Sequence, residues 1–401
     1  MGGMQITMRG IFKRPIRTLL VGMITVICML LSGCWDRIEI NDLALITASA
    51  YDIAPGGKLQ YSVQILVPSG GSKGGPGGSG AQKKSFIVET AVGIDPGDAE
   101  KNVQVKFPRR LFRGHRRVII LGEELAKQGI DIMLDSIGRD PQNRLRTNVV
   151  VAKGEKGYNL LKAEYPIERI PTEAMREMTV LGVRIDANVH DMLIAASSKG
   201  MQPIAVAIEK SKGEEGFKTT GLALFNDLKL AGYIDTEKTE GYRWIMGKQK
   251  NGIIAAEVPR NDGVVRVNVK GQDVRVIPKF KGKTPYILVE IKGNGSVYGN
   301  STTLDLSVPD NIEIVQKAIN DRIRKQVENT IASVQKEAGT DIFCFGMAFN
   351  QFKPCQWKKL ENQWDDIFPY LKVYISVDFK IKTSGMSGPP LYLKKDEIKK
   401  K

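Results

Sequence analysis

RVIILGEELAKQGIDIMLDSIGRDPQNRLRTNVVVA, residues 117–152, is the stretch whose reading decides the fold. Arg117–Leu121 is a short apolar run of strand type, which feeds a helical pattern from Gly122 to about Ile137. Asn148–Ala152 then returns to an unbroken apolar, β-branched run. Strand, helix and strand at this spacing make a βαβ unit, and the handedness of such crossovers predicts a mixed sheet with helices packed on it.

Working towards the N-terminus, Leu43–Ile53 and Leu59–Val67 read as strands around the turn Pro55-Gly56-Gly57. In the second, Leu59, Tyr61, Val63, Ile65 and Val67 share one face by period-two alternation. Residues 69–80 (SGGSKGGPGGSG) hold seven glycines and read as a flexible loop. A strand over Ser85–Val92 and a helix over Asp95–Lys106, with Asp98 near its start, complete this side. Towards the C-terminus, helical patterns cover Thr172–Leu181 and Asn188–Ser198. The charged, glycine-containing stretch Lys210–Lys218 marks a domain boundary.

The second half differs in texture. Gly221–Phe225, the turn Asn226-Asp227 and Leu228–Tyr233 form a hairpin; Gly263–Ile277 and Pro285–Lys292 alternate as antiparallel strands. From Asn311 to Ala338, Ile312, Val315, Ile319, Ile323, Val327, Ile331 and Val334 step by three or four and make one apolar stripe, with Asp310 as N-cap and Gly339 as stop. Ile342–Phe349 and Leu371–Lys382 read as strands flanking a helix around Trp357–Ile367. The expected class is α+β in several domains: residues 34–209, 210–308 and 309–401, the last ending in a basic tail.

The first thirty-three residues read as a leader. Basic residues precede Leu19–Leu31, an uncharged run too short to span a bilayer comfortably and of the right length for a signal-peptide core. Leu31-Ser32-Gly33 followed by Cys34 has the form of a bacterial lipobox: small residues admit the peptidase, and the Cys34 thiol accepts diacylglycerol. An uncleaved anchor helix or a plain secretory signal would not require cysteine at that place. Two acyl chains give stable anchoring, so the mature chain is expected on the outer face of a cytoplasmic membrane. Loss of Arg9, Lys13, Arg14 and Arg17 with the leader lowers the net charge of +15 by four, leaving an excess that favours anionic surfaces.

Catalytic chemistry finds little support. Gly70-Gly71-Ser72-Lys73-Gly74 has the spacing of a nucleophile elbow but lies within the glycine-rich loop, not between strand and helix. Gly282-Lys283-Thr284 ends like a phosphate loop but lacks its leading glycine, and Pro285 begins a strand. Two histidines and four cysteines supply no metal set. A Cys344–Cys355 disulfide is open to a chain outside the cytoplasm, but two cysteines are no framework, and the apolar stretch Ile342–Phe349 favours a buried free thiol at Cys344. No catalytic residue, metal or cofactor is expected beyond the diacylglycerol on Cys34. The concentrated feature is Lys101–Arg117, with seven Lys or Arg and no acid. Arg109, Arg110, Arg113, His115, Arg116 and Arg117 could meet an acidic partner or lipid headgroups, or form a solvated face paired with the acids of residues 122–140. Nucleic acid is disfavoured, since the leader exports the chain and no reader motif is present.

These residues carry a resemblance. Gly33-Cys34-Trp35-Asp36-Arg37 with Glu39-Ile40-Asn41, then Arg110–His115, Val118–Gly122, Glu123–Ala126, Asp140-Pro141 and Val149–Gly154, resemble in order the Ger(x)C family of spore germination lipoproteins. Gly221–Tyr233, Gly241–Trp244, Asp341–Phe343 and Trp357–Pro369 resemble its C-terminal domain. The glycine-rich insert and the Cys344/Cys355 pair depart from the pattern. The resemblance implies a non-enzymatic, lipid-anchored C subunit of a nutrient germinant receptor at the spore inner membrane, with an A subunit and a polytopic B subunit as partners. With partners so supplied and lipid providing the anchor, the basic stretch is read as partner-binding. A lipid-anchored solute-binding protein would need two similar lobes, which the unlike halves do not offer, and a tethered wall hydrolase would need a catalytic set.

Overall fold

The computed structural model describes residues 18–25, 38–67, 85–211, 216–258, 263–385 and 394. The chain divides into two units, residues 1–43 and 44–401. In the first, residues 18–25 are helical and Ile40–Asp42 forms a 3-10 turn. Leu31, Ser32, Gly33 and Cys34 lie outside the described residues, as do the glycine-rich stretch and nearly all of the basic tail. Among the described residues no helix is long and apolar enough to cross a membrane.

In the second unit, β1 (Leu43–Ile53), β5 (Val118–Gly122), β6 (Asn148–Ala152) and β7 (Ile204–Lys210) run parallel at the centre of a nine-stranded sheet. Every residue of β5 and β6 is buried, as an unbroken apolar strand covered on both faces must be. Antiparallel strands extend the sheet on each side: β2 (Leu59–Leu66) and β3 (Phe86–Gly93) beyond β1, β8 (Phe217–Asn226) and β9 (Lys229–Ile234) beyond β7. The short β4 (Arg110–Phe112) also pairs with β1. One face carries α1 (Pro96–Gln104), α2 (Glu123–Gln128), α3 (Asp131–Arg139) and α6 (Val189–Ser197), whose Val103, Leu125, Leu134 and Met192 pack with Ile119, Leu121, Val149 and Val151. The single helix expected from Gly122 to Ile137 is two, because Gly129 adopts φ +133°, outside helical space.

The other face carries α4 (Gly157–Lys162) and α5 (Pro171–Glu177) and merges with the core of a second sheet. Beneath these helices, Gln64 of β2 is buried: its side-chain oxygen accepts from Thr47 (2.9 Å) and Thr172 (2.6 Å), and its amide donates to Leu161 O (3.2 Å). Burial on both sides of β2 is therefore made possible by pairing its polar face internally.

The second sheet has the order β10 (Ile253–Glu257), β11 (Val264–Lys281), β12 (Thr284–Asn300) and β13 (Lys372–Thr383). The first three are antiparallel; β13 lies parallel to β12. Between them the chain runs through α8 (Pro309–Glu337), whose Val315, Ile319, Ile323, Val327 and Val334 are fully buried, as the stripe predicts. Pro309 opens this helix behind Val308, so Asp310 stands in its first turn instead of capping it; Gly339, at φ +63°, follows its end. From α8, Asn320 accepts from Phe379 N–H (2.7 Å) and Gln316 from Ile381 N–H (3.1 Å), which covers the outer edge of β13. A second helix, α7 (Thr236–Ile245), lies so close to α8 that a Cβ on Gly241 would come within 2.1 Å of Thr330 Oγ1. This close approach is what requires glycine there.

Three further expectations change. The β-rich part from 210 to 308 and the part from 309 onwards do not form separate cores: β8 and β9 complete the first sheet, and β13 belongs to the sheet of β10–β12. Residues 342–349 are not a strand but a tight turn leading into α9 (Phe345–Phe352), followed by the short helices α10 (Pro354–Leu360) and α11 (Trp364–Ile367) in place of one. The cause of the turn is Asp341, which is 1% exposed. Its carboxylate accepts from the backbone N–H of Phe343 (3.0 Å), Phe345 (3.2 Å) and Gly346 (2.8 Å) and from Trp364 Nε1 (3.0 Å). Such a set of donors holds residues 343–346 in helical entry, with Cys344 at φ +61°, where a strand would leave the carboxylate unpaired.

Two variants test this core. Ile323→Asp buries an unpaired carboxylate and should remove at least about 4 kcal/mol of the roughly 5–15 kcal/mol typical of a domain; an unchanged melting temperature would show the stripe to be exposed. Asp341→Ala leaves four donors without an acceptor and should cost roughly 3–5 kcal/mol. Burial pushes the Asp341 carboxyl up to about 6, although its N–H donors oppose the rise. Its folded-state value thus lies above that of an unfolded carboxyl, near about 4. The stability this group contributes is full below that value and is lost as pH rises through about 6. Denaturant midpoints of wild type and Asp341→Asn, compared across that interval, should diverge in that sense.

Candidate functional site

The basic stretch begins on α1. Asp95 caps this helix by accepting from Asp98 N–H (2.8 Å), and Gln104 in its last turn clamps the loop that follows. The Gln104 side chain accepts from Leu111 N–H (2.8 Å) and donates to Arg109 O (2.9 Å). The clamp fixes the backbone that carries Arg109 and Arg110 into β4, and both arginines are exposed. No carboxylate lies within ion-pair distance of Lys101, Arg109 or Arg110 among the described residues.

The rest of the stretch turns inward. Arg113 is only 13% exposed and pairs with Glu100 and with Asp140 (2.5 Å). Arg116 is 2% exposed, donating to Ser49 Oγ (3.0 Å) and Asn143 Oδ1 (2.6 Å), while its own carbonyl accepts from Thr147 Oγ1 (3.2 Å). Arg117 donates its N–H to Thr47 O (2.7 Å), accepts from Asn148 N–H (3.0 Å) and directs its side chain towards Glu173 at 3.8 Å. His115 is exposed against the Phe112 ring at 5.7 Å, and Lys106 stands 3.8 Å from Glu89. The six residues expected to form one docking patch are therefore divided. Arg116 and Arg113 tie β1, α1 and the segment after α3 together; Arg109 and Arg110 face solvent. Asp140, within the acidic stretch 122–140, was visible as a pairing partner. Glu100 was not, because only the packing of α1 beside β4 brings it near.

The carboxyl ends of the parallel strands are where a sheet of this type ordinarily admits ligands. Here Asp52, 1% exposed, reaches from β1 to accept from the N–H groups of Gly157 (2.7 Å) and Tyr158 (2.9 Å) at the start of α4. Burial pushes its carboxyl up, against the pull of those two bonds. A Cβ on Gly122 would lie 2.0 Å from Asp52 Oδ1, so the strand ends close tightly on this carboxylate. Beside it, Glu123 accepts from Gly154 N–H and pairs with Lys127 (2.7 Å). The chain's own acids thus accept from the amides of Gly154, Gly157 and Tyr158 at the ends of these strands.

Among the described residues no group of three or more His, Cys, Asp or Glu could hold a metal ion. His190 contacts the adjacent Asp191 (3.4 Å). Cys344 and Cys355 are both free thiols, and burial pushes the Cys344 thiol up to about 12, far from thiolate at neutral pH.

Residues 36–210 match the family described as "Spore germination protein N-terminal domain", and residues 220–385 match "Spore germination B3/ GerAC like, C-terminal". The chain is 26% identical over 386 residues to spore germination protein KC of Bacillus subtilis (strain 168), covering 90% of this chain and 95% of that one. It is 27% identical over 408 residues to spore germination protein YndF of the same organism, covering 94% and 99%. The crystal structure of the GerBC protein superposes with a TM-score of 0.57 at 18% identity, covering 83% of this chain and 96% of that chain, and so shares the fold.

The division of the arginines predicts unequal costs. Arg113→Ala strands two partly buried carboxylates and should destabilise the chain by roughly 2–3 kcal/mol. Arg110→Ala should stay within about 0.5 kcal/mol of wild type, as exposed substitutions do. Thermal melts of the two variants settle the matter, and equal losses would contradict the placement of Arg110 at the surface.

Proposed function

The chain belongs to the Ger(x)C family of spore germination proteins, and on that premise we propose that it is the C subunit of a nutrient germinant receptor. The observation that carries this reading is the collinear match of both family domains across residues 36–385, with relatives aligned over nearly their whole length. In this reading the subunit performs no chemistry. It is held on the outer face of the spore inner membrane by diacylglycerol on Cys34 and supports assembly and signalling with an A subunit and a polytopic B subunit. The non-enzymatic part is supported by the match to spore germination families and not to an enzyme family.

Arg109 and Arg110 are the residues proposed to meet an acidic surface of a partner, since the clamp from Gln104 presents them and nothing described neutralises them. Arg113 and Arg116 act one step behind, holding the loop. Recovery of the receptor from spore membranes tests both halves of the proposal. Cys34→Ala should leave an unacylated precursor and abolish the germination response. Joint Arg109→Glu and Arg110→Glu should leave the lipoprotein in the membrane but reduce recovery of the other subunits about tenfold, the equivalent of roughly 1.4 kcal/mol. Intact complexes in the double variant, with salt-sensitive binding to anionic vesicles lost, would assign the arginines to headgroups instead.

A further inference from the structure

An open groove of about 1250 Å³ runs between β11 and α9. Its border includes every residue from Gln272 to Phe280, and α9 contributes Met347, Ala348, Gln351 and Phe352. Successive residues of a strand point to opposite faces. A groove bordered by an unbroken run of nine strand residues therefore lies along the strand's edge and not over one face.

That edge is unpaired. β10 meets β11 only between Val264 and Asn268, and Asn251 and Gly252 extend the pairing to Val269. From Gly271 to Lys281, β12 is the backbone partner of β11 among the described residues, and no described backbone hydrogen bond is made on the opposite side; the Gln272 side chain accepts from Gln249 N–H (2.9 Å) and donates to Trp244 O (2.6 Å). The register through this half is continuous, yet it contains Pro278. Proline is accommodated within a regular strand where its nitrogen faces an open edge. The contrast with β13 is direct, because there Asn320 and Gln316 from α8 bond the edge backbone.

The walls specify an occupant. Phe352 is 58% exposed, and Val274, Val276 and Phe280 are half-buried along the same groove, with Phe280 packed edge-on against Phe349 at 5.4 Å. Lys279 and Lys353 line the groove without an ion-pair partner among the described residues, whereas Arg275 faces Glu290 at 3.6 Å. Asp273 is the one carboxylate of the lining. A free strand edge supplies main-chain hydrogen bonds, the aromatic wall receives apolar side chains on alternate positions, and the two lysines call for carboxylates.

We infer that the edge of β11 from Gln272 to Phe280 docks an extended segment of a partner protein, alternating apolar and acidic residues, which adds to the second sheet as a further strand. The inference rests on the subunit reading for the existence of a partner; its geometry stands on the groove alone.

The test uses the purified full chain and a labelled ten-residue peptide of alternating valine and glutamate, beside a control with lysine for glutamate. The glutamate peptide should bind and the lysine peptide should not, and amide exchange should slow between Val274 and Phe280. Joint Lys279→Glu and Lys353→Glu, at two exposed positions, should weaken binding at least tenfold, and Phe352→Ala should weaken it also. Failure of the glutamate peptide to bind, equal binding of both peptides, protection elsewhere, or indifference to charge reversal would overturn the inference. So would concentration-dependent self-association through this edge in sedimentation, which would make the occupant a second copy. Receptor recovered intact from spores carrying the charge reversal, with peptide binding lost, would remove the docking role and leave the subunit reading standing. Peptide binding as expected without any receptor association would remove the subunit reading alone.

Discussion

The segment Thr340-Asp341 joins parts of the chain that are far apart in sequence, and the Asp341 carboxylate fixes the turn that follows it. The Asp341 backbone oxygen accepts from Gln202 N–H (2.9 Å), just before β7 of the first sheet, and the hydroxyl of the preceding Thr340 donates to Phe225 O (2.7 Å) in β8. Ahead of it, four N–H donors converge on the side chain and start α9. Gly346 then lies directly against Gly200, where a Cβ would come within 2.4 Å of the facing Cα, and Met347 N–H reaches Gly200 O (3.1 Å). Around this knot pack Phe343, Phe345, Phe349, Trp357, Trp364 and Phe368, all buried. A buried charge is tolerated only when its lone pairs are engaged, so the turn, the glycine contact and the aromatic cluster depend on one another.

Charge inside the first sheet follows the same physics with a different outcome. Arg116 is buried against neutral partners, Ser49 and Asn143, and Arg113 spans Glu100 and Asp140. Guanidinium groups suit this task because several fixed donors can serve several elements at once. Half of an apparently continuous basic surface is thus internal scaffolding. What remains outside, Arg109 and Arg110, is placed by Gln104, a neutral residue.

The treatment of polar backbone also separates closed from open regions. Asp52 and Glu123 occupy the amides at the strand ends of the first sheet, and Gln316 and Asn320 occupy the edge of β13. Against that thorough pairing, the far half of β11 stands out as a strand edge with no described backbone partner, beside an exposed phenylalanine. Exposed edges usually carry lysine, proline or both as protection against indiscriminate pairing, and β11 carries both. The same devices admit a partner of opposite charge.

Much of this architecture was legible without coordinates. β5, β6 and the buried stripe of α8 follow from periodicity, since a strand covered on both faces and a long amphipathic helix leave patterns within a few turns of chain. The motifs naming the family are equally local. Where expectation failed, the deciding feature was either one local residue that periodicity does not weigh, as with Gly129 and Asp341, or a partner distant in sequence. Residues 342–349 are apolar enough for a strand, yet Asp341 and Trp364 make them a helix entry. Arg110 and Arg113 look alike in sequence, but α1 brings Glu100 to one and leaves the other bare. The free edge of β11 depends on where β10 ends, and the shared sheet of β12 and β13 on where α8 returns the chain. Periodicity and composition act over neighbouring residues and determine elements and class. Pairing of charges and of strand edges is settled across the fold, so only the tertiary structure decides which residues are scaffold and which remain available.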